Sequence, residues 1–300
     1  MLSNQEINEE FLLKKIEQAK KLLQNCYGCA WKCQIDRTAG ELGVCKTGAN
    51  AIISSYGAYF GEESVLSGWR GSGTIFFSRC NMKCVYCQNY EISQSGNGKI
   101  VTSSELASVI IYLQQQGCHN INLVSPSHVV PQIIESVSTA ILNGLNIPIV
   151  YNTGGYDSIE ALRLLEGIVD IYMPDMKYSD SSIAQKYSLV PDYAKINQTA
   201  VKEMHRQVGD LIVNKNGIAA KGLLIRHLVL PNGIAGSEEI IKFITEEISP
   251  NTYVNIMDQY RPCYKADHYE LINRKITNLE YKGVLNFAYN AGLTQMESIH

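Results

Sequence analysis

The chain has 300 residues, a formal net charge of −3, 45% hydrophobic and 18% charged residues. That length supports one large domain with a full core and a small appendage, and the slightly acidic balance offers no basic face to track phosphates, which argues against nucleic acid as a partner. No apolar run approaches the roughly 20 residues a bilayer requires, which excludes a membrane span. The N-terminus carries neither a secretory nor a transit signal, and seven of the nine cysteines fall in two tight groups, a pattern of metal binding in a reducing cytoplasm and not of disulfides.

Residues 4–24 read as an amphipathic surface helix, because Leu12, Ile16, Ala19 and Leu23 recur at helical spacing. Cys26, Cys29, Cys33 and Cys45 follow, among glycines that let the backbone turn round a centre. Such a set is a second metal site: a tetrahedral zinc or single-iron site, or an auxiliary cubane cluster, since C-x2-C-x3-C overlaps both patterns. Arg37, in the same loop, is a candidate partner for a cluster or thiolate charge, but a lone loop arginine reads first as a surface or structural residue. Residues 51–73, rich in Gly, Ser and Tyr, read as a hairpin leading into the main domain. Gly68, Gly71 and Gly73 are turn glycines there, because they precede a strand whereas dinucleotide loops follow one.

From residue 74 strands alternate with helices, the pattern of parallel βα units. Strands are expected at 74–78, 121–124, 148–151, 169–173, 223–230 and 253–257. Helices are expected from the capping box Thr102-x-x-Glu105 to Gly117, from Pro131 to Gly144, over 158–166, across 180–208, from Ser237, and across 268–290. Six units fall short of the eight that close a full barrel. The expected fold is therefore α/β, a partial (β/α)6 TIM-like barrel, with a doubly wound open sheet as the runner-up. The expected division is a helix and four-cysteine module over 1–70, the barrel over 71–265 and a helical extension over 266–300.

Right-handed crossovers put every loop that follows a strand at one mouth. The loop after the first strand, Ser125–His128, Asn152–Thr153, Asp175–Lys177 and Asp258–Tyr260 would all converge there. Arg226 and His227 are successive strand residues, so only one of them faces the mouth. His128 reads equally as a site residue or a loop stabiliser, Cys118 as a small buried hydrophobe, and Cys263, near the mouth, as a packing residue ahead of a radical or acid/base partner.

The loop after the first strand is Cys80-Asn81-Met82-Lys83-Cys84-Val85-Tyr86-Cys87. Three thiolates at C-x3-C-x2-C spacing hold three irons of a cubane and leave the fourth open to a ligand. A structural zinc would want a fourth protein ligand, and none is near in sequence. This spacing, with Tyr86 before the third cysteine, resembles the signature of the radical S-adenosylmethionine (SAM, or AdoMet) superfamily. The resemblance implies a [4Fe-4S] cluster on Cys80, Cys84 and Cys87, with AdoMet chelated at the open iron. It implies reductive cleavage to a 5′-deoxyadenosyl radical that abstracts hydrogen, fed by a low-potential donor such as ferredoxin or flavodoxin.

Three further stretches, Asn152-Thr153-Gly154-Gly155-Tyr156, Met173-Pro174-Asp175-Met176-Lys177 and Ile225-Arg226-His227-Leu228-Val229-Leu230-Pro231, resemble pyruvate formate-lyase activating enzyme and its relatives. The likeness spans roughly residues 70–265. It implies that Asp175 and Lys177 contact AdoMet, Lys177 as a cation for its carboxylate, with Asn152 and Thr153 close by and Arg226 turned to the site. It also implies an oxidoreductase acting on a protein glycine; a small-molecule substrate is the alternative. Where the superfamily often has Gly-Gly-Glu after the second strand, this chain has Ser125-Pro126-Ser127-His128, so the hydroxyls of Ser125 and Ser127 take the acceptor role. The activases' cysteine-dense insertion after the first cluster is missing, and the four-cysteine module stands in front instead. A non-catalytic iron–sulfur or zinc scaffold would not need Asp175 and Lys177 at the mouth. An electron-transfer protein would ligate every iron, which three cysteines do not.

Overall fold

Short strands with apolar side chains on both faces must be covered on both sides, and in this chain the covering comes from the helices between them. The structure is a computed structural model that describes residues 8–297. Its strands are β1 (Ala51–Tyr59), β2 (Ser72–Phe77), β3 (Lys99–Val101), β4 (Ile121–Val124), β5 (Ile149–Thr153), β6 (Ile171–Pro174), β7 (Ile212–Val213), β8 (Ala219–Leu228), β9 (Tyr253–Met257) and β10 (Gln295–Met296). Its helices are α1 (Glu9–Gln24), α2 (Ser64–Ser67), α3 (Tyr90–Ser93), α4 (Ser103–Gln115), α5 (Val130–Leu142), α6 (Ile159–Leu165), α7 (Ser181–Ser188), α8 (Tyr193–Val208), α9 (Ser237–Phe243) and α10 (Asn278–Asn290).

The strands β2, β4, β5, β6, β8 and β9 lie side by side in chain order, each parallel to the next. These are the six expected units, and they form the partial (β/α)6 barrel. The lead-in pairs as an antiparallel hairpin, β1 against β2, with β3 antiparallel on the outer side of β1. At the other edge β10 adds a short parallel pairing to β9. Alternation along the strands sorts the side chains: Val150, Ile171, Met173 and Leu224 pack together inside, while Tyr151, Tyr172, Leu223 and Ile225 join the layer under the helices.

Helix ends follow the capping chemistry. Thr102 and Glu105 form a reciprocal capping box on α4, and Thr277 and Glu280 form another on α10. The helical material expected over 180–208 forms two helices, because Leu189 and Asp192 take left-handed φ of 53° and 51° on either side of Val190-Pro191. The expected helix over 268–290 starts only at Asn278; the residues before it make 3₁₀ turns at Ala266–His268 and Glu270–Ile272. Helix α1 buries Leu12 and Ala19 and packs on α5; positions 4–7 of the expected first helix lie outside the described residues. Among the described residues no helix is long and apolar enough to cross a membrane.

Candidate cofactor site

Residues 78–89 leave the end of β2 and form one wall of a 520 Å³ cavity at the carboxyl ends of the parallel strands. The residues between the cysteines explain why the thiols face inward. Met82, Val85 and Tyr86 are buried in an aromatic cluster with Tyr178, Tyr187, Tyr193 and Tyr260, so Cys80, Cys84 and Cys87 turn to the cavity. The backbone is held too: Lys83 N–H donates to Ser188 O at 3.0 Å and Val85 N–H to Tyr187 O at 2.9 Å. Each sulfur has a polar neighbour. Met82 N–H donates to Cys80 Sγ at 3.4 Å, Ser188 Oγ donates to Cys84 Sγ at 3.0 Å, and Ser93 Oγ lies 3.2 Å from Cys87 Sγ. Burial pushes the thiols of Cys80 and Cys84 above their ordinary values, so their thiolates call for a positive partner.

That partner region is the opposite wall. Ser125, Asn152, Thr153, Asp175, Lys177 and Arg226 all line the same cavity. Lys177 Nζ donates to Asp175 Oδ2 at 2.5 Å, and both side chains are largely shielded from solvent. Burial opposes the ammonium charge, but the Asp175 carboxylate and the Cys84 sulfur outweigh it and raise Lys177 above its usual value. At Gly154 a Cβ would stand 2.8 Å from Met82 Sδ on the cysteine loop, so a larger residue there would push that side chain aside.

Ser127 does not reach the cavity, which corrects the expectation for it. Ser125 takes a left-handed φ of 57°, and Ser127 is buried with its Oγ 2.8 Å from Thr153 Oγ1. Thr153 in turn donates to Asp157 Oδ2 at 2.6 Å, and Tyr151 Oη donates to Asp157 Oδ1 at 2.8 Å. Burial raises the Asp157 carboxyl above its ordinary value against these donors. Of the two histidines, His227 faces away and bridges Met176 O at 2.7 Å and Ser237 Oγ at 2.8 Å. His128 lies under the loop with Nε2 3.0 Å from Ser78 O, and burial lowers it to about 3, so it is a neutral prop.

Four residues on or behind the walls escape sequence reasoning. Glu62 and Glu63, at the start of α2, line the cavity and bind Arg226: Nε to Glu63 Oε1 at 2.6 Å, Nη2 to Glu63 Oε2 at 2.7 Å, and Nη2 also to Glu62. Burial raises Glu62, whereas Arg226 outweighs burial at Glu63 and lowers it, as the bidentate geometry requires. The guanidinium expected to serve a cofactor is thus largely committed within the chain; among the described residues only its Nη1 lies outside this network. Tyr193 and Asn197, one turn apart on α8, clip the strand ends: Asn197 Nδ2 donates to Gly155 O at 3.1 Å and Asp175 O at 2.9 Å, and Tyr193 Oη lies 2.9 Å from Gly154 O. Their spacing reads as an ordinary helix face, so only the fold reveals them.

Cys26, Cys29, Cys33 and Cys45 line a second, smaller pocket, beside Trp31, Arg37 and His128. Arg37 is fully buried here, not at the surface.

Comparison with known proteins agrees with this architecture. The Radical SAM superfamily model matches residues 74–213. The uncharacterized protein MJ0674 of Methanocaldococcus jannaschii is 34% identical over 289 residues, covering 93% of this chain and 79% of that one. The [FeFe]-hydrogenase maturase HydG of Carboxydothermus hydrogenoformans has the same fold over 73% of this chain, with a TM-score of 0.50 and 12% identity. A second HydG structure matches 98% of this chain with a TM-score of 0.51 and 14% identity. This chain spans only 50% and 57% of those two proteins. From the superfamily match, the relative that covers nearly all of it and the shared barrel, this chain belongs to the radical SAM superfamily, whose members use a [4Fe-4S] cluster and S-adenosylmethionine.

Proposed function

We propose that Cys80, Cys84 and Cys87 ligate the [4Fe-4S] cluster and that the strand ends across the cavity hold AdoMet. The observation that carries this is the meeting, in one cavity, of three inward thiols and the Lys177–Asp175 pair. The donor set fits the group: three sulfurs with hydrogen-bonding neighbours on one loop suit a cubane with one iron left open. When bound, the cluster and AdoMet supply an electron and a 5′-deoxyadenosyl radical that abstracts hydrogen.

The chain's own residues bind, orient and exclude water. Lys177 is the cation for the AdoMet carboxylate, and Asp175 keeps it aimed and offers an acceptor to the amine or ribose. Ser125, Asn152 and Thr153 line the adjoining wall, with Thr153 fixed by Asp157. Ser127 supports Thr153 from behind. Arg226, fixed by Glu62 and Glu63, turns Nη1 to the ligand. Met82, Val85 and Tyr86 pack into the aromatic cluster beside the cysteine loop, and Met82 and Tyr86 also line the cavity wall, which shields it from water.

For the substrate we take an activase-like oxidoreductase reaction on a protein glycine. Its support is the likeness of the three strand-end stretches to glycyl-radical activases. At 520 Å³ the cavity lies within the roughly 300–1,000 Å³ of a small-ligand site. The reading needs a low-potential cytoplasmic donor, ferredoxin or flavodoxin. Anaerobically reconstituted protein given such a donor should release 5′-deoxyadenosine and methionine from AdoMet. With a target protein deuterated at glycine, deuterium should appear in the 5′-deoxyadenosine. No AdoMet cleavage overturns the cofactor reading, and deuterium arriving only from a small molecule overturns the glycine reading.

A further inference from the structure

The four cysteines of the N-terminal loop are not used by the cofactor site. Cys26, Cys29 and Cys45 are 7%, 6% and 7% exposed, and all four thiols line one pocket. None is in a disulfide. The loop turns tightly round them: Lys32, Gln34 and Lys46 take left-handed φ of 43°, 56° and 56°, a conformation that non-glycine residues rarely adopt. At Gly43 a Cβ would lie 2.8 Å from Cys33 Sγ. Among the described residues no three His, Cys, Asp or Glu side chains are already in place round one ion, so binding includes rotation of these thiols inward.

We propose that Cys26, Cys29, Cys33 and Cys45 bind a thiophilic metal centre of their own, and that this centre braces the start of the cysteine loop on either side of Cys80. Two contacts carry the brace. Trp31, between Cys29 and Cys33, donates its indole N–H to Asn81 O at 2.6 Å and packs edge-on against Tyr156, whose carbonyl accepts from Asn81 Nδ2 at 2.7 Å. Arg37, between Cys33 and Cys45, donates from Nη1 to His128 O at 2.8 Å and from Nη2 to Gly48 O at 2.7 Å, while its Nη1 lies 4.0 Å from Cys26 Sγ. His128 Nε2 then meets Ser78 O at 3.0 Å, where β2 gives way to the loop. Metal binding fixes the positions of Trp31 and Arg37 relative to their cysteines, so it fixes Ser78 and Asn81 on either side of Cys80. The metal site stands without the cluster assignment; the brace rests on it.

The full chain with Cys80, Cys84 and Cys87 all changed to Ala, purified anaerobically, separates the two. One zinc, or one iron without sulfide, identifies a single-ion site; about four irons with sulfide identify a cluster. Either supports the proposal when Cys29→Ser in the same background abolishes the binding, and a variant that folds but holds no metal overturns it. Should that variant fail to fold, alkylation of the unaltered chain before and after chelation replaces it. Protection of the four cysteines that disappears with the metal is expected, and metal-independent labelling overturns the proposal. For the brace, Trp31→Phe should keep the metal of the four-cysteine loop but alter the electron paramagnetic resonance spectrum of the reduced cluster at Cys80, Cys84 and Cys87. An unchanged spectrum in both Trp31→Phe and Arg37→Lys overturns the brace and leaves the metal site standing.

Discussion

Arg226 and Glu63 are 163 residues apart in the chain and share two parallel hydrogen bonds, Nε to Oε1 at 2.6 Å and Nη2 to Oε2 at 2.7 Å. Asn255 Nδ2 adds a third contact to Glu63 Oε1 at 2.8 Å. The link ties the segment between β1 and β2 to β8 and β9 across the inside of the barrel. Removing the guanidinium leaves two buried carboxylates without their cation.

Arg226→Met is therefore expected to destabilise the chain by about 3–5 kcal/mol, the usual penalty for breaking one side of a buried pair. Arg226→Lys should fall between the two, because an ammonium keeps the charge but not the fork. Urea unfolding of the metal-free chain measures both. A loss of only about 1 kcal/mol or less, as for an exposed pair, would show that water reaches this network.

Lys177→Ala should weaken AdoMet binding with the iron content unchanged. A charge-assisted contact in a sheltered site contributes about 1.5–3 kcal/mol, roughly ten- to hundredfold in affinity. Equilibrium binding to the reconstituted protein reads this directly. An unaltered dissociation constant places the AdoMet carboxylate elsewhere in the cavity.

Cys84→Ala removes one of three sulfurs and one of the two partners of Ser188 Oγ, which keeps Tyr178 Oη at 2.8 Å. Reductive cleavage of AdoMet should be abolished and the iron content should fall. Cleavage at the rate of the unaltered protein would contradict the cluster assignment.

Much of the barrel was legible in the sequence because its signals are local. Strand alternation marks β4 and β9 to the residue, and the Thr102–Glu105 box fixes the start of α4. The strand-end loops were legible for the same reason, since parallel topology alone gathers Asn152, Asp175 and Lys177 at one mouth. Pairings of long range were not. Glu62 and Glu63 sit in a lead-in without periodicity, and nothing local announces their partner on β8. Ser127 was misplaced because the left-handed turn at Ser125, which sends it inward, leaves no mark in the residue types. Asp157 is different: it follows Asn152-Thr153-Gly154-Gly155-Tyr156 directly, and a carboxylate so close to a strand end was a signal available to be read.

Asp170 gives a prediction about pH. It is 6% exposed where the chain enters β6, and its Oδ2 accepts from Ile149 N–H on β5 at 3.0 Å. Burial raises its carboxyl from 3.8 to about 6, against the opposing effect of the Ile149 N–H. Between these values the unfolded chain releases the proton while the folded chain keeps it. Stability from this group is therefore complete below about pH 4 and is lost as the pH rises through about 6. A shift of roughly two units corresponds to about 3 kcal/mol. Asp170→Asn keeps an oxygen for Ile149 but has no proton to lose. The stability difference between Asp170→Asn and the unaltered chain, from urea midpoints of metal-free protein, should grow in favour of the variant by up to about 3 kcal/mol from pH 4 to above pH 6. A difference that stays constant across that window would mean that Asp170 ionises freely in the folded chain and that water reaches the β5–β6 junction.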